Sequence, residues 1–324
     1  MARPAPDPVF VLRGSIDAVN SVRFYSPSNG SQEYLLSGCV SGEVRIWNLS
    51  SRRSEVTLNG HHGKGILELQ LLKKDKILSH GRDNQILVWD VTEGRKDIVS
   101  SIDTASFSLC KCAVLSHDDR KCLIAVAGLE KSEVRVHDLE SKKVIHRLIP
   151  PTEHKSFGMP MCLKFIDSKQ LVSGYEDGSI VVWNLETNKI GTEKKLHSEP
   201  VMCLDYSITS KKGVSGSAED KLVSWVIKKD DLETCCEVRL TNPGLSDVCI
   251  RQDDKIVTTA GWDNRIRLFG FKKMKPLAIL SYHTDSVHCL DSSQPVQHMQ
   301  YQHLLAAGSK DKHISLWSVY ETNR

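Results

Sequence analysis

Three observations in the sequence predict an all-β fold, a ring of seven four-stranded blades. A unit of about forty-five residues recurs along the whole chain. Strand-length segments rich in β-branched and aromatic residues, parted by turn residues, fill each unit. No apolar pattern of helical period is sustained for the ten or so residues that a helix requires.

Each unit carries an apolar strand ending in a small residue and Gly, then an acidic residue, then an alternating strand that closes on a ring. The first unit reads Leu36-Ser37-Gly38 and Trp47, the second Leu78-Ser79-His80-Gly81 and Trp89. A weaker third reads Val126-Ala127-Gly128 and His137, and the fourth Val172-Ser173-Gly174 and Trp183. Val214-Ser215-Gly216 with Trp225, Thr258-Thr259-Ala260-Gly261 with Phe269, and Leu305-Ala306-Ala307-Gly308 with Trp317 complete the set. The markers 47, 89, 137, 183, 225, 269 and 317 stand 42, 48, 46, 42, 44 and 48 residues apart, a propeller repeat with small loop insertions. Within the fifth unit the four strands fall at Val201 to Tyr206, Gly213 to Ser217, Leu222 to Ile227 and Cys235 to Leu240.

The chain divides into a flexible Pro-rich N-terminus, 1–8, and one propeller domain, 9–324. Val9 to Arg13 forms an orphan strand before the first unit, while the last unit ends at Tyr320 after three strands. The N-terminal strand is therefore expected to complete the last blade, which removes an exposed sheet edge. Ser26 to Glu33 and Ser292 to Gln302 read as insertions between the first two strands of their blades.

Composition narrows function. Of 324 residues 40% are hydrophobic and 26% charged, with 43 Lys plus Arg against 40 Asp plus Glu. A net charge of +3 is too mild for an electrostatic footprint on nucleic acid or an anionic membrane. No apolar run approaches a membrane span and the start lacks a signal-peptide core, so a cytoplasmic and nuclear protein is expected. The ten cysteines read as reduced core thiols, since Cys110 with Cys112 and Cys235 with Cys236 lack zinc-site spacing. No metal or cofactor is expected, because Gly60 to Gly65 has no phosphate-loop spacing and no His-Glu-x-x-His occurs.

Inside such a repeat a His, a Ser, an Asp and a Trp form a buried hydrogen-bonded chain, each polar member requiring a partner. His62 (or its neighbour His61), Ser79, Asp83 and Trp89 have the spacing of a full set. Six residues also separate Asp177 from Trp183, with Ser173 upstream, and Asp311 from Trp317. Glu219 takes the Asp place in the fifth unit, Ser41 in the first and Lys131 in the third. The Ser lies in a strand with no nucleophile elbow, so the set is structural and no catalytic residue is assigned.

The residue before each structural Asp is expected on the loop face around the channel. Arg82, Glu176, Trp262 and Lys310 occupy that place, with Tyr175 alongside and Met159 and Pro160 in an inter-blade loop. This mixture of aromatic, Met and charged groups has the composition of a binding hot spot for a protein partner. Trp262 is the strongest single candidate. Its alternative role is packing beneath the next blade.

Longer strings carry a resemblance. Phe10-Val11-Leu12-Arg13-Gly14, Gly158-Met159-Pro160-Met161-Cys162-Leu163, Gly174-Tyr175-Glu176-Asp177-Gly178-Ser179, Leu240-Thr241-Asn242-Pro243-Gly244, Ala260-Gly261-Trp262-Asp263 and Ala306-Ala307-Gly308-Ser309-Lys310-Asp311 are similar to those of WD40-repeat proteins, almost end to end. The fold implied is a seven-bladed WD40 β-propeller. The branch of the family that these strings match implies a non-catalytic adaptor, monomeric, that works with the TTT co-chaperone complex to mature and stabilise phosphatidylinositol 3-kinase-related kinases in DNA-damage signalling. No G-protein γ subunit is expected as partner, because eight Pro-rich residues precede the first strand where β subunits of the family carry a coiled-coil helix. Two other binding roles stay open. Trp262-Asp263-Asn264-Arg265 spells a string used by substrate receptors of cullin-type ubiquitin ligases, although it sits before a strand rather than at its end. A histone-tail reader would need an aromatic cage, for which Trp262 and Tyr175 are the candidates.

Overall fold

Strands buried along their whole length, such as Ile256–Gly261 and Leu304–Ser309, and half-exposed strands at the rim, such as Asp231–Arg239, make up the computed structural model. It describes all residues except 1–5, 28–31, 74, 107, 119–120, 152–155, 230, 295–302 and 320–324. In chain order β1 is Phe10–Leu12, and β2 to β5 are Val19–Tyr25, Tyr34–Cys39, Glu43–Asn48 and Arg53–Asn59. β6 to β9 are Ile66–Leu72, Lys76–Gly81, Gln85–Asp90 and Asp97–Asp103, and β10 to β13 are Ala113–Asp118, Lys121–Ala127, Val134–Asp138 and Val144–Leu148. β14 to β17 are Pro160–Phe165, Gln170–Tyr175, Ser179–Asn184 and Lys189–Lys195. β18 to β21 are Val201–Ser207, Lys212–Ser217, Lys221–Lys228 and Asp231–Arg239. β22 to β25 are Leu245–Ile250, Ile256–Gly261, Arg265–Gly270 and Lys275–Ser281, and β26 to β28 are Val287–Ser292, Leu304–Ser309 and Ile314–Ser318. One 3-10 turn, Thr92–Gly94, is the only helical element among the described residues.

Each group of four is an antiparallel sheet in sequence order, so the chain is an all-β propeller with blades 1 to 6 running from β2 to β25. Blade 7 is β26, β27 and β28 with β1 outermost, Phe10 lying opposite Leu316 and Leu12 opposite Ile314. The first and last segments of the fold are thus paired, and the ring has no unzipped seam. The two expected insertions fall between β2 and β3 and between β26 and β27; residues 28–31 and 295–302 within them, and 1–5 of the N-terminus, lie outside the described residues.

The core is divided among the seams. Six of them bury the ring that closes a blade's third strand: Trp47 against Leu12 and Ile314, Trp89 against Leu36 and Ile46, Trp183 against Val136, Trp225 against Val182, Phe269 against Leu222, and Trp317 against Leu268. A buried aromatic removes a large apolar area from water and aligns the two sheets. Among the described residues the seam between blades 2 and 3 has no aromatic in its buried cluster, which is Leu78, Ile86, Ile102, Cys112, Ile124 and Val126, and its marker residue is His137.

Candidate functional site

The loop face is held in place by hydrogen bonds beneath it. In blade 2 His61 Nδ1 lies 2.9 Å from Asp83 Oδ1, His61 Nε2 lies 2.8 Å from Ser79 Oγ, and Trp89 Nε1 donates to Ser79 Oγ at 2.8 Å. A carboxylate only accepts and an indole only donates, so the protons run one way: Trp89 to Ser79, Ser79 to His61 Nε2, and His61 Nδ1–H to Asp83. The histidine is His61 and not His62. His62 has φ of 47°, which turns it out of the line and leaves it exposed. Blade 7 has the same chain with a relocated hydroxyl. His283 joins Asp311 at 2.9 Å and Ser315 at 2.7 Å, and Trp317 donates to Ser315 at 2.8 Å from the same strand, Ala307 having taken the usual serine place. Blade 5 pairs His197 with Glu219 at 2.8 Å and with Ser215 at 2.9 Å, while the buried Trp225 Nε1 has no acceptor among the described residues. Burial holds all three imidazoles below the ordinary histidine value, against the pull of their carboxylates.

Other blades solve the same problem differently. In blade 4 Trp183 donates to Ser173 at 2.8 Å, and among the described residues the Asp177 carboxylate meets Ser179, through its N–H at 2.9 Å and its hydroxyl at 3.0 Å. The fully buried Tyr175 adds a further hydroxyl, which sits beside Ser173 and Trp183 and donates to Ser132 O at 3.1 Å. In blade 6 Arg267 clamps Asp263 through two bonds of 3.0 and 2.6 Å. In blade 3 the acidic anchor is Glu133 and not Lys131. Its carboxylate accepts from Arg135 and Arg147 at 2.8 Å and from the N–H groups of Leu129 and Glu130. Burial works to raise that carboxyl, yet these donors outweigh it and bring it down to about 2. Ser41 of blade 1 meets only Cys39 Sγ, at 3.0 Å.

Around the channel every blade contributes one charge from its innermost strand or the segment entering it. Arg23 joins Glu68 at 2.7 Å and Asp291 at 3.1 Å, Lys111 joins Asp247 at 3.3 Å, and Lys164 joins Asp205 at 2.8 Å. Three of the carboxylates also accept backbone N–H groups from the next blade: Asp205 from Ile250, Asp247 from Leu290 and Asp291 from Phe24. These residues line a chamber of about 480 Å³. Buried charge of this kind is tolerable only when paired and hydrogen-bonded, and here it ties the ring across its axis. Sequence reasoning missed the belt, although Asp205 and Asp291, each the single carboxylate of its strand and both at one register, were its visible signal.

The loop face above these anchors consists of inter-blade loops and of the turns joining second to third strands. Trp262 stands in the turn before β24, 44% exposed, with its ring over Gly244. Gly244 has φ of 92° and no side chain, so the indole can lie on bare backbone. Ser286 donates to Trp262 O at 2.9 Å and accepts, through its own carbonyl, from Lys310 N at 3.0 Å; Lys310 Nζ reaches Asp285 at 3.3 Å. Trp262 and Lys310 therefore form one patch on blades 6 and 7. Met159, half-exposed, and exposed Glu176 form a second on blade 4, where Glu176 accepts from Met159 N at 3.1 Å. Arg82 is exposed on blade 2. Two candidates do not belong to the face: Tyr175 is core, and Pro160 is buried at the start of β14 opposite Tyr175. Exposed Ile16, Leu109 and Leu129, which the spacing argument did not single out, lie on the same face. Among the described residues no group of His, Cys, Asp and Glu is arranged to hold a metal ion, and all ten cysteines are free, six of them buried.

Comparison with known proteins follows this geometry. The family described as WD domain, G-beta repeat matches residues 6–48, 146–184 and 274–318. The chain is 40% identical to guanine nucleotide-binding protein subunit beta-like protein 1 of Mus musculus, over 98% of this chain and 97% of that protein. It is 27% identical to ASTRA-associated protein 1 of Schizosaccharomyces japonicus, over 97% of this chain and 99% of that one, and 27% identical to the Schizosaccharomyces pombe protein of the same name, with the same coverage. The chain belongs to the WD40-repeat family, in the group of guanine nucleotide-binding protein subunit beta-like protein 1.

Proposed function

We propose that this WD40-repeat scaffold is a non-catalytic adaptor that works with the TTT co-chaperone complex to mature and stabilise phosphatidylinositol 3-kinase-related kinases, in the cytoplasm and nucleus, and thereby supports DNA-damage signalling. The observation that carries the reading is likeness along nearly the full chain to proteins named for their association with ASTRA. A fold match alone would say little about function; the loop face adds a surface suited to the task. It presents a rigid aromatic, Trp262, beside a charged pair, Lys310 and Asp285, on turns fixed by backbone hydrogen bonds. Rigid, half-exposed aromatics with charged neighbours bind protein partners at low entropic cost.

The competing readings gain nothing from the structure. Burial of Tyr175 leaves Trp262 without the second wall of an aromatic cage, and Trp262-Asp263-Asn264-Arg265 spans the turn into β24 and that strand's first residue. The test is quantitative co-purification from cell lysate with the wild-type chain, Trp262→Ala and Lys310→Glu, partners being identified by mass spectrometry. Co-chaperone subunits and large kinases are expected with the wild type, reduced about tenfold with Trp262→Ala, a loss of the size a hot spot gives. Recovery of cullin adaptors or histones instead would overturn the reading.

A further inference from the structure

We infer that the face opposite the loop face carries, on blades 5 and 6, a docking platform for an acidic segment of a partner protein with an apolar residue beside its carboxylates. Three turns build it. The β18–β19 turn brings Lys211 and Lys212, the β22–β23 turn Arg251 and Lys255, and the β24–β25 turn Lys272, Lys273 and Lys275. In sequence these are scattered pairs and single residues, but the fold sets them side by side and locks the turns to one another. Lys212 Nζ donates to Phe271 O at 2.9 Å and to Lys272 O at 3.4 Å, and it lies over the Phe271 ring, 5.0 Å from the centre. Phe271 N donates to Lys255 O at 2.9 Å, and the hydroxyls of Ser207 and Ser210 each donate to Asp254 Oδ2 at 2.6 Å.

The positive charge of these turns is uncompensated. Their carboxylates are Asp253 and Asp254, and both are committed: Asp253 clamps the buried Arg251 through bonds of 2.9 and 2.8 Å, and Asp254 holds the two serines. Lys211, Lys255, Lys272, Lys273 and Lys275 are exposed, and their ammonium groups have no carboxylate partner among the described residues. The neighbouring β20–β21 turn adds Lys228 and Lys229 followed by Asp230 and Asp231, with Lys228 joined to Glu233 at 2.7 Å, and so changes the sum little. Other turns of this face mix their signs: Lys73 and Lys76 with Asp75, Arg95 and Lys96 with Glu93 and Asp97, Lys142 and Lys143 with Glu140, Lys189 with Glu186. Arg52 and Arg53 on blade 1 come without a carboxylate, but Arg52 is stacked over the Phe10 ring. Like charges held together on fixed turns make a local field that attracts an anion.

The occupant follows from what surrounds the lysines. Ile208, 66% exposed in the β18–β19 turn, gives an apolar contact beside them. Phe271 and Met274 are buried, so among the described residues these turns offer no exposed ring on which a nucleobase could stack. A flat anionic bilayer or a long polyanion would also meet the exposed carboxylates of the mixed turns, Asp167, Glu186 and Asp231 among them. A short acidic segment covers the lysines alone. Lysines act as point charges on flexible stems and take carboxylates without demanding one geometry.

The probe is a fluorescein-labelled peptide, a Leu followed by a run of Glu, with a twin that has Gln in place of every Glu. Fluorescence anisotropy on the full chain at low salt is expected to show binding of the Glu peptide, weakening as salt screens the exposed charges. The Gln twin should bind more weakly by about tenfold, as should the Glu peptide to the double variant Lys272→Glu, Lys273→Glu, a loss of about one decade in Kd. The control Lys142→Glu, Lys143→Glu makes the same change in net charge on blade 3 and should bind like wild type. Trp262→Ala should also bind like wild type, so failure of the loop face and failure of this platform are told apart. All variants should melt close to the wild-type temperature. No binding, equal binding of the two peptides, retained binding by the Lys272 and Lys273 variant, or an equal loss in the blade 3 control would each overturn the inference. So would tighter binding of a single-stranded oligonucleotide or of phosphatidylserine vesicles that the Lys272 and Lys273 variant abolishes, which would give the platform to nucleic acid or membrane.

Discussion

The seam between blades 1 and 2 and the seam between blades 2 and 3 join sheets of the same four-stranded antiparallel order, yet their chemistry differs at two positions. At the first, Trp89 is buried against Leu36 and Ile46 and its N–H feeds the chain through Ser79 and His61 to Asp83. At the second, His137 occupies the indole's place and Val126 the serine's, and both imidazole nitrogens are buried with no partner among the described residues. Blade 3 makes up part of the difference elsewhere, with the Glu133 clamp on Arg135 and Arg147. A repeat of this kind specifies a backbone register first. Several side-chain solutions then anchor the loops, and they are not equally strong.

The largest effect should appear when the aromatic itself is removed. Trp89→Ala is expected to cost about 4 kcal/mol in equilibrium unfolding, through lost burial and a cavity, whereas His137→Ala should cost about 1 kcal/mol because its buried nitrogens already lack partners. Equal losses would erase the contrast between the seams. Next in size is the clamp. Glu133→Gln should destabilise by about 2 kcal/mol at neutral pH by taking the charge partner from Arg135 and leaving Arg147 with Glu130 alone. The sign with pH follows from linkage. The folded-state value of Glu133, about 2, lies below the ordinary 4.5, so the unfolded chain binds the proton more tightly. Its contribution is fully present above about 4.5 and is lost as pH falls toward about 2. The stability difference between wild type and Glu133→Gln should therefore shrink over that window in acid titrations followed by circular dichroism; a constant difference would remove the clamp from the account. The smallest effect should be a gain. His137→Phe copies blade 6, where Phe269 fills the same place, and should raise stability by about 1 kcal/mol by replacing unpaired buried nitrogens with apolar ring. A loss would show that His137 has a partner that the described residues do not include.

The sequence carried the blades because their period, strand alternation and ring markers are local patterns that tertiary contacts do not rewrite. Val9 to Arg13 was legible as the closing strand by the same logic, an alternating stretch left over at one end and missing at the other. The anchors were less legible. His61 and His62 are adjacent, and only the left-handed backbone at His62 decides between them. Tyr175 reads as a loop-face residue by spacing, but its ring packs on Phe157 in the core and its hydroxyl turns inward to donate to Ser132 O. In blade 3 the acidic anchor is Glu133, directly before Val134 and thus at the place that Gln85 holds in blade 2, two residues beyond Lys131, and the six-residue spacing to the marker does not point there. On the face itself, Arg82, Glu176, Trp262 and Lys310 all stand in turns between second and third strands, yet spacing could not say that Trp262 and Lys310, from neighbouring blades, both rest on Ser286 while Glu176 sits with Met159.

The account separates residues that hold the ring from residues that meet a partner, and one paired measurement tests that separation most directly: thermal melting and partner recovery, determined side by side for Ser79→Ala and Trp262→Ala. Ser79→Ala orphans both His61 Nε2 and Trp89 Nε1, so its melting temperature should fall by several degrees, as expected for a loss of about 2 kcal/mol. Trp262→Ala should melt close to wild type and lose its partners. A Trp262→Ala protein that melts as low as Ser79→Ala, or that melts normally and keeps every partner, would contradict the assignment of Trp262 to the binding face.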